Sequence, residues 1–430
     1  MKAVVFNGIG DIRLEDVKEP KIRDPHDAIV RITSCAICGT DLHLIRGTLP
    51  GMKPGTILGH EGIGIVEDIG KEVRNLKKGD RVIIPSTIGC GYCSYCRAGY
   101  FSQCYNANPM GNNAGTSFFG GPAMSGSFNG LQAEMARIPF ANVGLVKIPD
   151  DVSDDDAILL SDIFPTGYFG AEMAEIKSGD TVAVFGCGPV GQFAIMSAFI
   201  MGAGRVLAID RIPSRLEMAK NAGAEIINFD EEDPTEVIRE LTGGIGVDRV
   251  IDAVGVDAMQ PEKGPALKRS RKLDKEFRRE LESVAPRTNP HGKNWIPGNG
   301  PSQALLWAVE SIAKAGTLSV IGVYPQTFQS FPFGMAMNKN LTMKAGNCNH
   351  RKYIPSLLEM VQGGMVSPQK MITQIGPMDS IIKAYKAFDE RQPGWIKVEI
   401  LVTEEQSIRR QRHLEEVTTS GDGKTFVHNF

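Results

Sequence analysis

The chain has 430 residues, 42% hydrophobic and 23% charged, with a formal net charge of -3. That balance excludes disorder over most of the length and gives no reason to expect nucleic acid or a membrane as a partner. At ~150 residues per domain the length points to two or three domains, and no run of ~18 apolar residues suggests a membrane-spanning helix.

The chain opens on MKAVVFNGIG, which has neither the apolar stretch nor the cleavage site of a secretory leader, so the expected compartment is the cytoplasm. Short apolar runs at 28–32, 63–69 and 81–85 are separated by Gly, Pro, Asn and Asp, and the first ~150 residues read as β-rich. Near Ser161 the texture changes. Strand runs at 181–185, 205–209, 247–253 and 318–323 alternate with helical patterns at 189–202, 214–222 and 303–315, as in a parallel, doubly wound sheet. Residues 257–302 interrupt that rhythm. Within them 267–284 is a charged helix on which Leu273, Phe277 and Leu281 form an apolar stripe. Its cations outnumber its acids, but acids are interleaved throughout. Packing on its own or a partner subunit is therefore expected, ahead of nucleic-acid or membrane binding. The tail after about Thr403 is polar and charged.

Four of the eight cysteines crowd into CGYCSYCRAGYFSQC. Cys90, Cys93, Cys96 and Cys104 can wrap one zinc tetrahedrally, with Gly89, Gly91 and Gly99 supplying tight turns. Four sulfurs leave no open position, so this zinc is expected to be structural. An iron–sulfur cluster and a disulfide pair are the competing readings. Two shorter pieces carry further ligand types: CAICGTDLH, with Cys38, Thr40, Asp41 and His43, and GHEGIG, with His60 and Glu61. Alone, each is weak, since a buried cysteine or a turn histidine is common.

TVAVFGCGPVG places Gly186, Gly188 and Gly191 directly after a strand and before a helix, with Pro189 and Val190 between them. This is the context in which backbone N–H groups at a helix N-terminus bind a pyrophosphate. Nineteen residues past Gly191, Asp210 ends the next strand. A carboxylate there hydrogen-bonds ribose hydroxyls and repels a 2′-phosphate, which favours NAD over NADP; the adjacent Arg211 softens that preference.

Together these pieces resemble the zinc-dependent medium-chain dehydrogenases, the family of zinc alcohol dehydrogenases, to about residue 400 apart from the interruption. The resemblance implies a GroES-like catalytic domain over 1–163 and 345–430, including the lobe at 89–105 and the polar tail. It implies a Rossmann domain over 164–344 with an insertion at about 257–302. Cys38 and His60 become ligands of a catalytic zinc. The family's third ligand is often a cysteine, which LLSDIFPTGYFG does not offer. Asp162 stands there instead, resembling the SDxxPTG of the glutathione-independent formaldehyde dehydrogenases; a helix N-cap is its competing reading. By the same resemblance Glu61 binds the zinc transiently or tunes it, and Asp41 accepts the free ring N–H of His60. Thr40, the nicotinamide ribose and His43 relay a proton, and Arg351 reaches the pyrophosphate or is a surface arginine.

The expected protein is a homodimer or homotetramer with two zinc ions per chain and NAD. It would oxidise an alcohol or a hydrated aldehyde such as formaldehyde, or a polyol- or threonine-type secondary alcohol. The zinc-free quinone reductases of the same fold lack Cys38, His60 and the four-cysteine lobe. A nucleotide sensor without chemistry is the non-enzymatic alternative.

Overall fold

The computed structural model describes residues 1–111, 115–403 and, as backbone, 428–429. The chain divides into two units, one of residues 1–45, 51–165 and 349–430, the other of residues 46–50 and 166–348.

The first unit is built on an eight-stranded sheet and a three-stranded one. The strand Ala28–Ile37 is buried at nine of its ten positions and pairs antiparallel with Gly62–Ile69, Met135–Ile138 and Val398–Leu401. Register then decides which side chains meet. Cys35 lies opposite Gly62 and Ile37 opposite Val398. The residues just beyond these strand ends, Cys38, His60, Glu61 and Lys397, are thereby delivered to one place. A helix, Gly39–Arg46, follows Cys38 at once, and the Asp41 carboxylate in its first turn accepts the N–H of Cys38 at 3.0 Å.

The second unit carries a six-stranded parallel sheet. Its order is Glu225–Asn228, Arg205–Asp210, Thr181–Phe185, Val247–Asp252, Ile312–Val320, Thr342–Ala345. Its central strands are covered on both faces, which is why Thr181–Phe185 and most of Arg205–Asp210 read as continuous apolar runs rather than alternating ones. Ala183 and Phe185 pack into one cluster with Leu207, Val250 and Trp307, while Val182 and Val184 pack into another with Ile195, Ala198 and Ile251. The order reverses between Thr181–Phe185 and Val247–Asp252. At this switch point an open parallel sheet binds ligands beyond its carboxyl ends.

Two expectations need correction. The helical pattern read over 303–315 stops at Ser311, and the strand begins at Ile312 rather than 318. The Lys339 ammonium donates to the carbonyls of Val309, Glu310 and Ile312 at 2.7–2.9 Å, satisfying helix-end acceptors from outside the segment. Residues 46–50 join the second unit, held by a buried ion pair of 2.7 Å between Arg46 and Asp257.

The insertion folds as Gly264–Ser270 and Asp274–Val284. Its stripe is spent on its own unit. Phe277 is 1% exposed, and Leu281 packs with Val256, Val284, Tyr324 and Phe328. The polar tail expected after Thr403 lies outside the described residues, apart from the backbone of His428–Asn429, which pairs beside Gln374–Pro377. No helix among the described residues is long and apolar enough to cross a membrane.

Candidate active site

Cys38, His60, Glu61 and Asp162 each offer a ligand atom, all within 4.8 Å of one another, and all four residues are buried. Cys38 Sγ lies 3.6 Å from Asp162 Oδ2, and His60 Nε2 lies 3.4 Å from the same oxygen. Asp162 immediately precedes the helix Ile163–Met173, but its carboxylate points into this cluster.

The electrostatics are those of a site built around a cation. Burial pushes the Cys38 thiol up to about 11, against the opposing charge of His60. Burial also pushes the Asp162 carboxyl up, but hydrogen bonds from His350 and His60 outweigh it and hold the group well below the usual carboxylate range. Burial lowers His60, and the charges of Asp41 and Cys38 more than reverse this. Nδ1 of His60 lies 3.1 Å from Asp41 Oδ1, close enough for an ion pair but turned from the line of a hydrogen bond, so both atoms are left without a hydrogen-bond partner. Glu61 Oε1 is equally orphaned. Buried polar atoms without partners are costly. The orphaned Glu61 oxygen, beside a thiol, an imidazole and a second carboxylate of suitable donor type, fits a zinc ion held by Cys38, His60 and Asp162 with a position to spare.

Two residues that the sequence reading passed over complete this arrangement. Lys397 is fully buried and ion-pairs with Glu61 Oε2, while also donating to the Ile37 carbonyl at 3.2 Å. Burial pushes the Glu61 carboxyl up to about 7, with Lys397 pulling the other way. His350, the first residue of the helix His350–Gln362, sets Nε2 2.6 Å from Asp162 Oδ1 and Nδ1 3.0 Å from Thr87 Oγ1. Thr40 Oγ1 is 3.9 Å from Cys38 Sγ, and His43, one helical turn on, is buried. Arg351 belongs to the first unit, where its Nε donates to the Val143 carbonyl at 2.9 Å.

The four-cysteine lobe is also assembled. The ligand atoms of Cys90, Cys93, Cys96 and Cys104 lie within 4.8 Å of one another, with no disulfide among them. Gly91 and Gly99 take φ of +84° and +88°, where a side chain would be strained. N–H groups of Cys90, Cys93, Cys96 and Ala107 point at the sulfurs at 3.2–3.5 Å, and Asn106 Nδ2 approaches Cys90 Sγ at 3.3 Å. A hydrogen bond from the Cys96 thiol pulls Cys104 down to about 5 and drives Cys96 far up in return. Four sulfurs crowded within 4.8 Å of one another and ringed by N–H donors offer a tetrahedral cation its full set of ligands.

In the second unit the glycine loop has two kinds of glycine. A Cβ at Gly191 would sit 1.8 Å from the Gly186 carbonyl oxygen, so any side chain forces helix and strand apart. A Cβ at Gly188 would meet nothing nearer than 3.7 Å. Space left open over Gly188, at the N-cap of the helix Pro189–Ile200, is the cradle a pyrophosphate needs. Gly188→Ala is therefore expected to leave the melting temperature nearly unchanged while weakening nucleotide binding at least about tenfold, and Gly191→Ala to destabilise the fold by a few kcal/mol. Calorimetric titration and thermal melting separate the two. Asp210 accepts from the N–H groups of Cys187, Arg211 and Ile212 at 2.6–3.0 Å, and the Arg211 guanidinium is taken by Glu262 at 2.5 Å.

Two known protein families match stretches of the chain, one in each unit. Residues 24–150 match the model of the alcohol dehydrogenase GroES-like domain, and residues 189–266 that of zinc-binding dehydrogenases. An uncharacterized zinc-type alcohol dehydrogenase-like protein of Bacillus subtilis is 38% identical over 93% of this chain and 99% of its own length. The glutathione-independent formaldehyde dehydrogenase of Pseudomonas aeruginosa is 32% identical over 91% of this chain and 96% of its own. In structure, alcohol dehydrogenase TADH from Thermus sp. ATN1 matches with a TM-score of 0.75 at 33% identity, covering 94% of this chain and all of its own. This chain belongs to the zinc-type alcohol dehydrogenases and is an oxidoreductase of their medium-chain, GroES-like and Rossmann fold.

Proposed function

We propose that the chain uses NAD and a catalytic zinc to oxidise a small alcohol or a hydrated aldehyde, with formaldehyde the foremost aldehyde to test. The observation that carries this reading is the buried set of Cys38, His60, Glu61 and Asp162 within 4.8 Å of one another. Zinc there supplies a Lewis acid to an oxygen in the remaining position, and nicotinamide supplies the hydride acceptor.

The chain's own residues do the rest. Cys38, His60 and Asp162 hold the metal, and Asp41 faces the far ring nitrogen of His60. The Thr40 hydroxyl both accepts and donates, so it takes the proton leaving the substrate hydroxyl. His43, three residues on along the same helix face, carries that proton further. The glycine loop, with Pro189 and Val190 opening the helix, binds the pyrophosphate. Asp210 offers a ribose hydroxyl the acceptor capacity left beyond its three backbone donors. Arg211 is ion-paired with Glu262, whose negative charge opposes a 2′-phosphate there, in keeping with NAD. Cys90, Cys93, Cys96 and Cys104 hold a second, structural zinc. Loss of one hydride and one proton turns an alcohol into a carbonyl, and the same loss turns a hydrated aldehyde into a carboxylic acid. The formaldehyde reading rests on the Asp162 ligand and on the likeness to the Pseudomonas enzyme. We also propose a homodimer or homotetramer working where thiols stay reduced.

The test is NAD reduction by the purified protein with formaldehyde and with primary, secondary and polyol substrates, each with and without glutathione. Turnover of formaldehyde without glutathione is expected. Activity confined to polyols or secondary alcohols would move the substrate class, and no reduction with any of them would overturn the reading.

A further inference from the structure

We infer that His350, acting through Asp162, keeps the fourth position of the metal site open for substrate. The inference rests on the reading of Cys38, His60 and Asp162 as zinc ligands and deepens it.

A carboxylate can bind a metal through one oxygen or both. With Cys38 and His60 in place, an aspartate binding through one oxygen leaves a tetrahedral zinc one position short. An aspartate binding through both fills that position with its own second oxygen. In this site the two Asp162 oxygens have different neighbours. Oδ2 faces Cys38 Sγ at 3.6 Å and His60 Nε2 at 3.4 Å. Oδ1 is 2.6 Å from His350 Nε2. A carboxylate only accepts, so the ring donates to it, and the bond is short because its acceptor is charged. The ring cannot turn away easily. It is 3% exposed, its other nitrogen lies 3.0 Å from Thr87 Oγ1, and it starts a thirteen-residue helix. Glu61 is restrained in a parallel way, one oxygen held by the buried Lys397. Each carboxylate of the cluster therefore has one oxygen tied to a buried basic side chain. His350 is a positioning residue: it touches the ligand and not the substrate.

The test compares wild type, His350→Ala, His350→Gln and Thr87→Val, with cobalt(II) replacing zinc at the catalytic site. The visible absorption of cobalt weakens as coordination rises from four to five. His350→Ala removes the imidazole donor from Oδ1, so weaker absorption is expected, together with a KM for alcohol raised about tenfold and kcat within about threefold, since the substrate must now displace a carboxylate oxygen. His350→Gln keeps an N–H donor for Oδ1 and is expected to restore the wild-type spectrum. Thr87→Val leaves the ring in place without its anchor and should shift spectrum and KM part of the way; it decides the matter if His350→Ala does not fold. A four-coordinate spectrum and unchanged KM in His350→Ala, or in Thr87→Val where only that variant folds, would overturn the inference. Wild-type protein that takes up no cobalt beyond the four-cysteine lobe would instead overturn the metal-site reading beneath it.

Discussion

Cys38→Ser is expected to abolish turnover while leaving the fold and the affinity for NAD nearly intact. The sulfur is one of three donors proposed for the open site, and its loss leaves Asp162 and His60 too few to keep a metal. The Lewis acid supplies several kcal/mol of transition-state stabilisation. At 1.36 kcal/mol per tenfold, kcat/KM should fall at least about a thousandfold. Nucleotide affinity should stand because the glycine loop and Asp210 belong to the second unit. Steady-state kinetics beside calorimetric NAD titration make the comparison; full activity in the variant would refute the open-site assignment.

Cys96→Ser should act on stability instead. Cys96 is 3% exposed, and its N–H donates toward Cys93 Sγ at 3.5 Å. The lobe offers little apolar core of its own. Tyr92, Tyr95, Tyr100 and Tyr105 are 46–62% exposed, so the cation must organise it. A three-sulfur site binds zinc more weakly. A melting temperature lower by roughly 5–10 °C is expected, with loss of the lobe's metal. Differential scanning calorimetry reads the first, and light scattering shows whether assembly changes with it. An unshifted melting temperature would mean that the lobe folds without its metal.

These two sites differ in how they are written in the chain. The four-cysteine lobe is local: its ligands fall within fifteen residues, and their spacing alone implies a closed shell. The glycine loop is nearly as legible, because strand, turn and helix follow one another directly. The open site is not local. Cys38 and His60 are joined by a sheet register that spacing does not encode, and Asp162 lies 124 residues beyond Cys38. Resemblance to a family supplied that set.

Neither source pointed to His350 or Lys397. His350 meets Asp162 across 188 residues of chain, and one histidine in NCNHRKY carries no period or spacing. Lys397 sits in WIKVEIL, a strand-like run in which a lysine reads as the solvent side. Register and a buried acid put it inside. The helix that ends early at Ser311 failed for a related reason, since its stop is supplied by Lys339 from another element. Propensity and periodicity see neighbours along the chain, whereas these features are fixed by neighbours across it.

The central claim is that the chain holds one metal in a closed sulfur shell and a second in an open, mixed-donor one. Elemental analysis of freshly purified wild type and of Cys38→Ser tests it most directly. Two zinc ions per chain are predicted for the wild type and one for the variant, with the melting temperature of the variant close to the parent's. A wild-type chain with one zinc or none, or a Cys38→Ser chain that keeps both, would contradict it.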